Sequence, residues 1–252
     1  MSTEEENVHP KVMVRNKIMT SYGLIVFTYH QGKTLFLMTR RRDTFSYECI
    51  LRGHYTEEIL QEYVFNTTKE ERDRLLKYPF DSLWKDLWVS TKRRLYRMEY
   101  RKAKEMFDRN GDTIRQMICD CPTMGKDVWE FPKGRMFSEE SGFQCALREF
   151  EEETNIKRTH VSVIKNAGIH EDNYRGTDHN MYRSIYFIGY IHNGVDIPIS
   201  YQPCPYGMRN DYISDEVMDL KWLTYEESID LCNPTRRTIM ESVHSYISEL
   251  RK

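Results

Sequence analysis

The sequence predicts a layered domain of mixed α/β or α+β class, in which a mixed sheet packs between helices and a helical segment interrupts the chain. Three observations support this prediction: two β-rich runs near the start, a long stretch with helical spacing, and further β-like runs followed by two helices. Hydrophobic residues make up 39% of the 252 residues. That fraction is sufficient for an ordinary globular core.

The β-rich runs predict the framework of the sheet. Residues 21–30 and 34–39 are separated by a short turn that contains Gly32, a pattern typical of a β-hairpin. Later β-like runs lie at 128–131, 160–169, 182–192 and 217–223. Helices are expected over 225–231 and 235–250.

The helical segment, from about residue 56 to 121, shows no strand pattern. Thr68 and Glu71 form a capping box, and leucine and tryptophan recur at helical spacing after it. We therefore expect an all-helical subdomain inserted into the layered domain. The predicted division is a tail over 1–20, a first domain part over 21–54, the insertion over 55–124 and a second domain part over 125–252.

Charge and cysteine content restrict the class of protein. Lysine plus arginine (37) nearly equals aspartate plus glutamate (39), which excludes a wholly basic nucleic-acid binder but leaves room for a basic face. No apolar run reaches 18 residues, so no membrane span is expected. The acidic N-terminus is unlike a secretory signal, and the six cysteines form no C-x-x-C pair. We expect a cytoplasmic protein with reduced thiols.

One segment, 131–156, predicts chemistry. Ser141 and Gln144 form a capping box, so a helix is expected to begin there. Its apolar residues recur at helical intervals and should form the buried face: Phe143, Ala146, Leu147 and Phe150.

Three glutamates lie beside that face. Glu149, Glu152 and Glu153 are related by three and four residues, so they crowd together near the C-terminal end of the helix, where negative charge is unfavourable. Oxygen-only clusters suit hard divalent cations, here Mg²⁺ or Mn²⁺. Arg148 is four residues before Glu152 and is expected to hold it in place. The alternative without a metal site is a solvated helix with ordinary surface glutamates.

The loop before this helix supplies cations. Gly134 lets the backbone approach a ligand closely, and Lys133 and Arg135 flank it as candidate phosphate-binding residues. Phosphates held between these cations and bound metal ions predict in-line hydrolysis of a pyrophosphate bond.

The segment resembles the Nudix box, G-x5-E-x7-R-E-U-x-E-E-x-G-U with U a bulky apolar residue. The matching residues are Gly134, Glu140, Arg148, Glu149, Phe150, Glu152, Glu153 and Ile156. Asn155 replaces the final glycine, which caps the helix in the left-handed region, where asparagine is the next best residue. The resemblance implies that Glu149, Glu152, Glu153 and the Gly134 carbonyl bind metal. Glu140 and Arg148 would support them.

Residues 40–47, 80–88 and 129–135 together resemble the mRNA-decapping Nudix enzymes of large cytoplasmic DNA viruses, and the likeness runs from about Tyr22 to the C-terminus. It implies a Nudix fold interrupted by a helical subdomain in a viral protein acting in the host cytoplasm. It also implies release of m7GDP from capped RNA with Mg²⁺ or Mn²⁺, and activity on diphosphoinositol polyphosphates.

Nudix enzymes often use a further glutamate outside the box, and Glu216, just before the last predicted strand, is our choice; Glu171 is a weaker alternative. Decapping relatives stack the cationic base of the mRNA cap between aromatic rings. Our candidates for these rings are Phe45, Tyr47, Tyr174 and Tyr182.

A basic stripe lies in the helical segment. Four cations share one predicted helical face, a pattern that suits a polyanion such as RNA: Arg93, Arg97, Arg101 and Lys104. Arg40, Arg41 and Arg42 would extend the same surface.

Three functions follow from these observations. The first is hydrolysis of the mRNA cap. The second keeps the fold but uses a small substrate, a diphosphoinositol polyphosphate or a dinucleoside polyphosphate. The third is an RNA-binding module without turnover, against which the intact glutamate set argues.

Overall fold

A computed structural model describes residues 18–88, 94–176, 180–196, 216–232 and 236–250. The strands are β1 (Met19–His30), β2 (Lys33–Arg41), β3 (Trp129–Glu130), β4 (Lys133–Gly134), β5 (Ser162–Val163), β6 (His170–Arg175), β7 (Met181–Tyr190) and β8 (Val217–Thr224). The helices are α1 (Phe45–Arg52), α2 (Glu57–Phe65), α3 (Lys69–Lys77), α4 (Phe80–Leu87), α5 (Arg94–Asp120), α6 (Gly142–Thr154), α7 (Tyr225–Leu231) and α8 (Arg237–Leu250). No helix in the described ranges is long and apolar enough to cross a membrane.

The strands form one mixed sheet. β1 and β2 pair as the predicted hairpin, and its two-residue turn places Gln31 and Gly32 at positive φ, as a type I′ turn requires. β1 pairs in parallel with β7, whereas β8 runs antiparallel to β2. β3 extends β2, β4 pairs with β1, and β5 and β6 pair with β7. This arrangement confirms the predicted mixed sheet.

Helices cover both faces of the sheet. Successive side chains of β1 point to opposite faces, and the apolar residues on each face pack against a helix. Leu24 and Val26 pack on the side of α6 with its Phe150. Ile25 and Phe27 point the other way, into a core that includes α8. Both terminal helices, α7 and α8, confirm the sequence prediction.

Five helices, α1–α5, lie between β2 and β3 in the chain, and we call them the helical unit. They share an apolar core around the fully buried Trp84, which stacks on Phe80. Tyr47, Ile50 and Leu51 of α1 belong to this core. The helical unit therefore begins with α1, earlier than the residue 55 we predicted, because the apolar face of α1 packs on helices and not on the sheet.

Two strand predictions need correction. The run 160–169 is not one strand: β5 covers two residues, and 3₁₀ turns at Arg158–His160 and Lys165–Ala167 flank it. Gly168 follows at positive φ, which breaks an extended run. β6 was not predicted, since its polar sequence lacks alternation and pairing with β7 forms it.

Helix α6 forms as its local signals predict. Ser141 and Gln144 make the reciprocal capping bonds. Ala146 and Phe150 are buried, but the buried face turns toward Cys145 and Glu153, and Phe143 is 37% exposed. We had placed Phe143 on the buried face; it lies at the first turn, edge-on to Phe187.

Asn155 ends α6 at a φ of 55°, as predicted for the residue replacing glycine. We expect Asn155→Ala to lower the free energy of unfolding by about 1–2 kcal/mol, because alanine is strained in the left-handed region. Asn155→Gly should change the free energy of unfolding by only about 0.3 kcal/mol, since glycine adopts this conformation freely. Urea unfolding of both variants measures the difference, and equal losses would contradict the capping role.

Candidate active site

The carboxyl of Glu149 lies directly over the backbone of Gly134. β4 holds Gly134 opposite Tyr22 of β1, and a Cβ at position 134 would overlap the Glu149 carboxyl. Any residue other than glycine would therefore displace this carboxylate. The loop and the helix that the sequence analysis paired are in contact.

Arg148 clamps the loop to the helix. Its Nε and Nη2 donate to both oxygens of Glu140, at 3.1 and 2.7 Å. Its Nη1 donates to Glu149 at 2.7 Å and to Glu152 at 2.9 Å, which confirms the predicted reach from Arg148 to Glu152. Hydrogen bonds from Arg148 and from the Phe137 N–H lower the pKa of Glu140 to about 2.

The three box glutamates differ in burial. The side chain of Glu152 is 57% exposed and that of Glu149 is 15% exposed, whereas Glu153 is buried. Burial raises the pKa of Glu149, and the charges of Glu152 and Glu216 add to the effect. Burial also raises the pKa of Glu153 well above its ordinary value, together with the charges of Glu130, Glu149 and Glu216.

Glu216 lies just before β8, and its negative charge contributes to the raised pKa values of Glu149 and Glu153. Its carbonyl accepts a hydrogen bond of 2.9 Å from the Arg42 N–H, which holds the start of β8 against the end of β2. The alternative, Glu171, lies on β6 in an ion pair with Arg183. The choice of Glu216 as the glutamate outside the box stays a prediction.

These carboxylates fit a hard divalent cation. The negative charge of Glu216 raises the pKa of both Glu149 and Glu153, and that of Glu149 also raises the pKa of Glu153, so a cation among them would relieve repulsion. Among the described residues, no three acidic, histidine or cysteine side chains already stand in an arrangement that could hold a metal ion. Arg148 accounts for part of this, because it draws oxygens of Glu149 and Glu152 to itself.

The two loop cations have different surroundings. Lys133 is turned inward and pairs with Glu130 at 2.6 Å, with only 10% of its side chain exposed. Its predicted role in phosphate binding stays a prediction, and in this structure its ammonium group is engaged by Glu130. Arg135 is exposed, and its guanidinium lies 3.2 Å from the Met19 sulfur.

One of the aromatic candidates needs correction. Tyr47 is fully buried in the helical unit beneath the Arg74 guanidinium, so it offers no ring to a ligand. Phe45 is 38% exposed and meets Tyr63 edge-on. Tyr174 and Tyr182, either of which is predicted to supply the facing ring, stack on each other with centroids 5.4 Å apart.

The basic stripe is partly neutralised. Arg93 lies outside the described residues. Arg97 and Arg101 are exposed, and Arg101 is 3.5 Å from Glu105. Lys104 lies near Asp81 and Asp108, at 3.7 and 3.6 Å.

Arg40, Arg41 and Arg42 do not extend that stripe, contrary to the prediction. Each forms an ion pair with an acidic group and is at most one-third exposed, so the tri-arginine run faces protein carboxylates.

A buried ionic cluster behind the site escaped the sequence analysis. Glu130 accepts from Lys133 and, at 3.1 Å, from Arg236 at the start of the last helix, and Arg236 also pairs with Asp172 at 3.7 Å. Burial opposes ionisation of Glu130, but the surrounding cations hold its pKa well below the usual range. Lys133 is only three residues from Glu130, but Arg236 and Asp172 are far away in sequence, and no local pattern signals them.

The fold, and the helix that carries the Nudix box, are those of a Nudix hydrolase. The Nudix domain family model matches residues 114–243, more than half of the chain. The chain therefore belongs to the Nudix family and is a hydrolase.

Particular relatives come from large DNA viruses. The mRNA-decapping protein g5R of African swine fever virus (isolate Warthog/Namibia/Wart80/1980) is 26% identical over 191 residues, covering 72% of this chain and 77% of that protein. A protein of Acanthamoeba polyphaga mimivirus with a provisional mRNA-decapping name is 26% identical over 254 residues, covering 88% of this chain and 68% of its own. The structure of C. elegans Ap4A hydrolase in a binary complex covers 92% of this chain and 99% of its own, at 14% identity and a TM-score of 0.49.

Proposed function

We propose that the protein hydrolyses the pyrophosphate linkage of the mRNA cap and releases m7GDP and RNA with a 5′-monophosphate. The observation that carries the proposal is the Glu149 carboxyl against the Gly134 backbone, with the charge of Glu216 acting on both Glu149 and Glu153. The viral decapping relatives supply the substrate class. We also propose that the protein acts in a host cytoplasm. Its Nudix domain would be interrupted in sequence by a helical insertion.

In this proposal Glu149, Glu152, Glu153 and the Gly134 carbonyl hold Mg²⁺ or Mn²⁺. The ions would neutralise phosphate charge and lower the pKa of a bound water. Arg148 fixes Glu140, Glu149 and Glu152 relative to one another. We assign the role of proton acceptor to Glu216, because its exposed position at the rim of the site gives it access to water.

To test the reaction, the protein and Mn²⁺ are added to RNA that carries a radiolabelled cap, and the products are then separated. We expect m7GDP as the labelled product, and no product when EDTA replaces Mn²⁺. An intact cap after prolonged incubation with the metal would contradict the proposal. RNA binding without product would instead support the non-catalytic alternative.

The exposed cations of α5 are proposed to bind the RNA body. We expect the double substitution Arg97→Gln and Arg101→Gln to weaken binding of capped RNA, because two phosphate contacts are lost. The slope of log affinity against log salt concentration should fall by about 2. Fluorescence anisotropy at several salt concentrations measures this slope.

The matched control changes Arg109 and Arg115 to glutamine near the other end of the same helix, where Arg115 pairs with Asp112. The control should leave the slope near the wild-type value. Cleavage of a dinucleoside polyphosphate or a diphosphoinositol polyphosphate should be equal in both double variants. An unchanged slope in the Arg97 and Arg101 variant, with fast small-molecule cleavage, would favour the small-substrate alternative.

A further inference from the structure

The pairing of β2 with β8 contains a β-bulge next to the candidate site, with the extra residue, Met218, on β8: Arg40 faces Asp219, and Arg41 faces Val217, the residue after Glu216. Bulges increase the local twist of a sheet and are frequent beside active sites. Here the two neighbouring arginines take separate partners: Arg40 pairs with Asp127, and Arg41 turns toward Glu48 and Glu130.

Arg41 connects the helical unit to the sheet. Its Nη2 is 2.9 Å from a carboxylate oxygen of Glu48 on α1, and its Nη1 is 3.7 Å from Glu130 on β3. Its Nε donates to the Asp43 carbonyl at 3.2 Å, which fixes the guanidinium in place. The negative charges of Glu216 and Glu153 also stabilise the charged form of Arg41. One guanidinium is therefore shared by the helical unit and the glutamate site.

We propose that Arg41 and Glu48 form a positioning pair through which α1 sets the charge of the glutamate site. This inference rests on the proposed function, since it concerns how strongly that site attracts a divalent cation. Arg41 adds one positive charge to the neighbourhood of Glu153 and Glu216, and Glu48 compensates it. The helical unit then contributes to the hydrolytic centre itself, in addition to the proposed RNA surface.

Opposite effects of the two residues follow from Coulomb's law. Loss of the Arg41 charge leaves Glu48 and Glu130 less compensated, so the site becomes more negative and should bind a divalent cation more tightly. Loss of the Glu48 charge should weaken binding. For partly buried charges several ångströms apart, each effect should be about threefold to tenfold in affinity.

The test measures Mn²⁺ binding to the full-length protein from the electron paramagnetic resonance signal of free Mn²⁺. We expect Arg41→Met to bind Mn²⁺ more tightly, Glu48→Gln to bind it more weakly, and the double variant to return near wild type. The control is Arg115→Met on α5, whose guanidinium pairs with Asp112. It should leave the affinity unchanged.

A purely structural role would not give shifts of opposite sign. Shifts in the same direction, or no shift in either variant, would overturn the inference while leaving the proposed function intact. Absence of Mn²⁺ binding by the wild-type protein would overturn both. Arg41→Lys covers the case in which Arg41→Met does not fold: the retained charge should keep Mn²⁺ affinity near wild type, while lost contacts lower kcat with little change in KM. A changed affinity in Arg41→Lys would also overturn the inference.

Discussion

Replacing Glu153 with glutamine is expected to lower kcat for cleavage of the mRNA cap by about 10²- to 10³-fold, the scale seen when one preorganised charge-stabilising group is removed from an active site. Glutamine keeps the size of the side chain but removes its charge. Glu153 is buried beside Glu130 and Glu149, so no solvent-exposed group replaces it. Single-turnover rates with capped RNA and saturating Mn²⁺ measure the loss.

Glu151→Gln is the matched control for this experiment. Glu151 lies on the same helix, but its carboxylate pairs with Lys157 and Arg158 at 3.0 and 2.6 Å, away from the other box glutamates. Because such exposed pairs contribute little, we expect kcat to stay within about twofold of the wild-type value. A wild-type rate in Glu153→Gln would show that the buried glutamate takes no part in hydrolysis.

Asp43→Ala is expected to lower the free energy of unfolding by about 3–5 kcal/mol, the usual cost of removing one partner from a buried ion pair. Asp43 lies two residues after the end of β2 and accepts hydrogen bonds from Arg42 and from Arg74 of α3. Its side chain is only 6% exposed, and the two cations hold its pKa below the ordinary value although burial opposes this. Its loss leaves both guanidinium groups without their shared carboxylate. Urea unfolding at neutral pH measures the change.

Asp73→Ala provides the comparison for Asp43. Asp73 pairs with Lys69 at 2.7 Å on the surface of α3, and its side chain is 60% exposed. Here we expect a change within about 0.5 kcal/mol. Similar losses for the two variants would show that the junction between β2 and the helical unit does not depend on Asp43.

The parts of the structure that the sequence predicted correctly depend on neighbouring residues. Ser141 and Gln144 mark the start of α6, Asn155 marks its end, and the short turn at Gly32 marks the hairpin. The contact between Arg148 and Glu152 follows from helical spacing alone. Such signals act within a few residues, so they can be read without knowing the fold.

The errors arise where distant parts of the chain decide the outcome. Tyr47 looks like a surface aromatic in sequence, but the other helices of the helical unit bury it. The sequence does not reveal that Lys133 pairs with Glu130, or that Glu130 also pairs with Arg236. β6 has no strand pattern of its own and exists because β7 pairs with it. Only the tertiary structure brings these partners together.

The parallel pairing of β1 with β7 has a consequence for how the chain folds. β1 and β7 are separated by more than half of the chain, and the whole helical unit lies between them. Local helices form quickly, whereas joining distant strands costs a large loss of chain entropy. During synthesis we therefore expect the helical unit to become compact on the ribosome before β7 has emerged, when β1 does not yet have its parallel partner strand. Sheet closure, and with it the assembly of the glutamate site, would be the slow step of maturation.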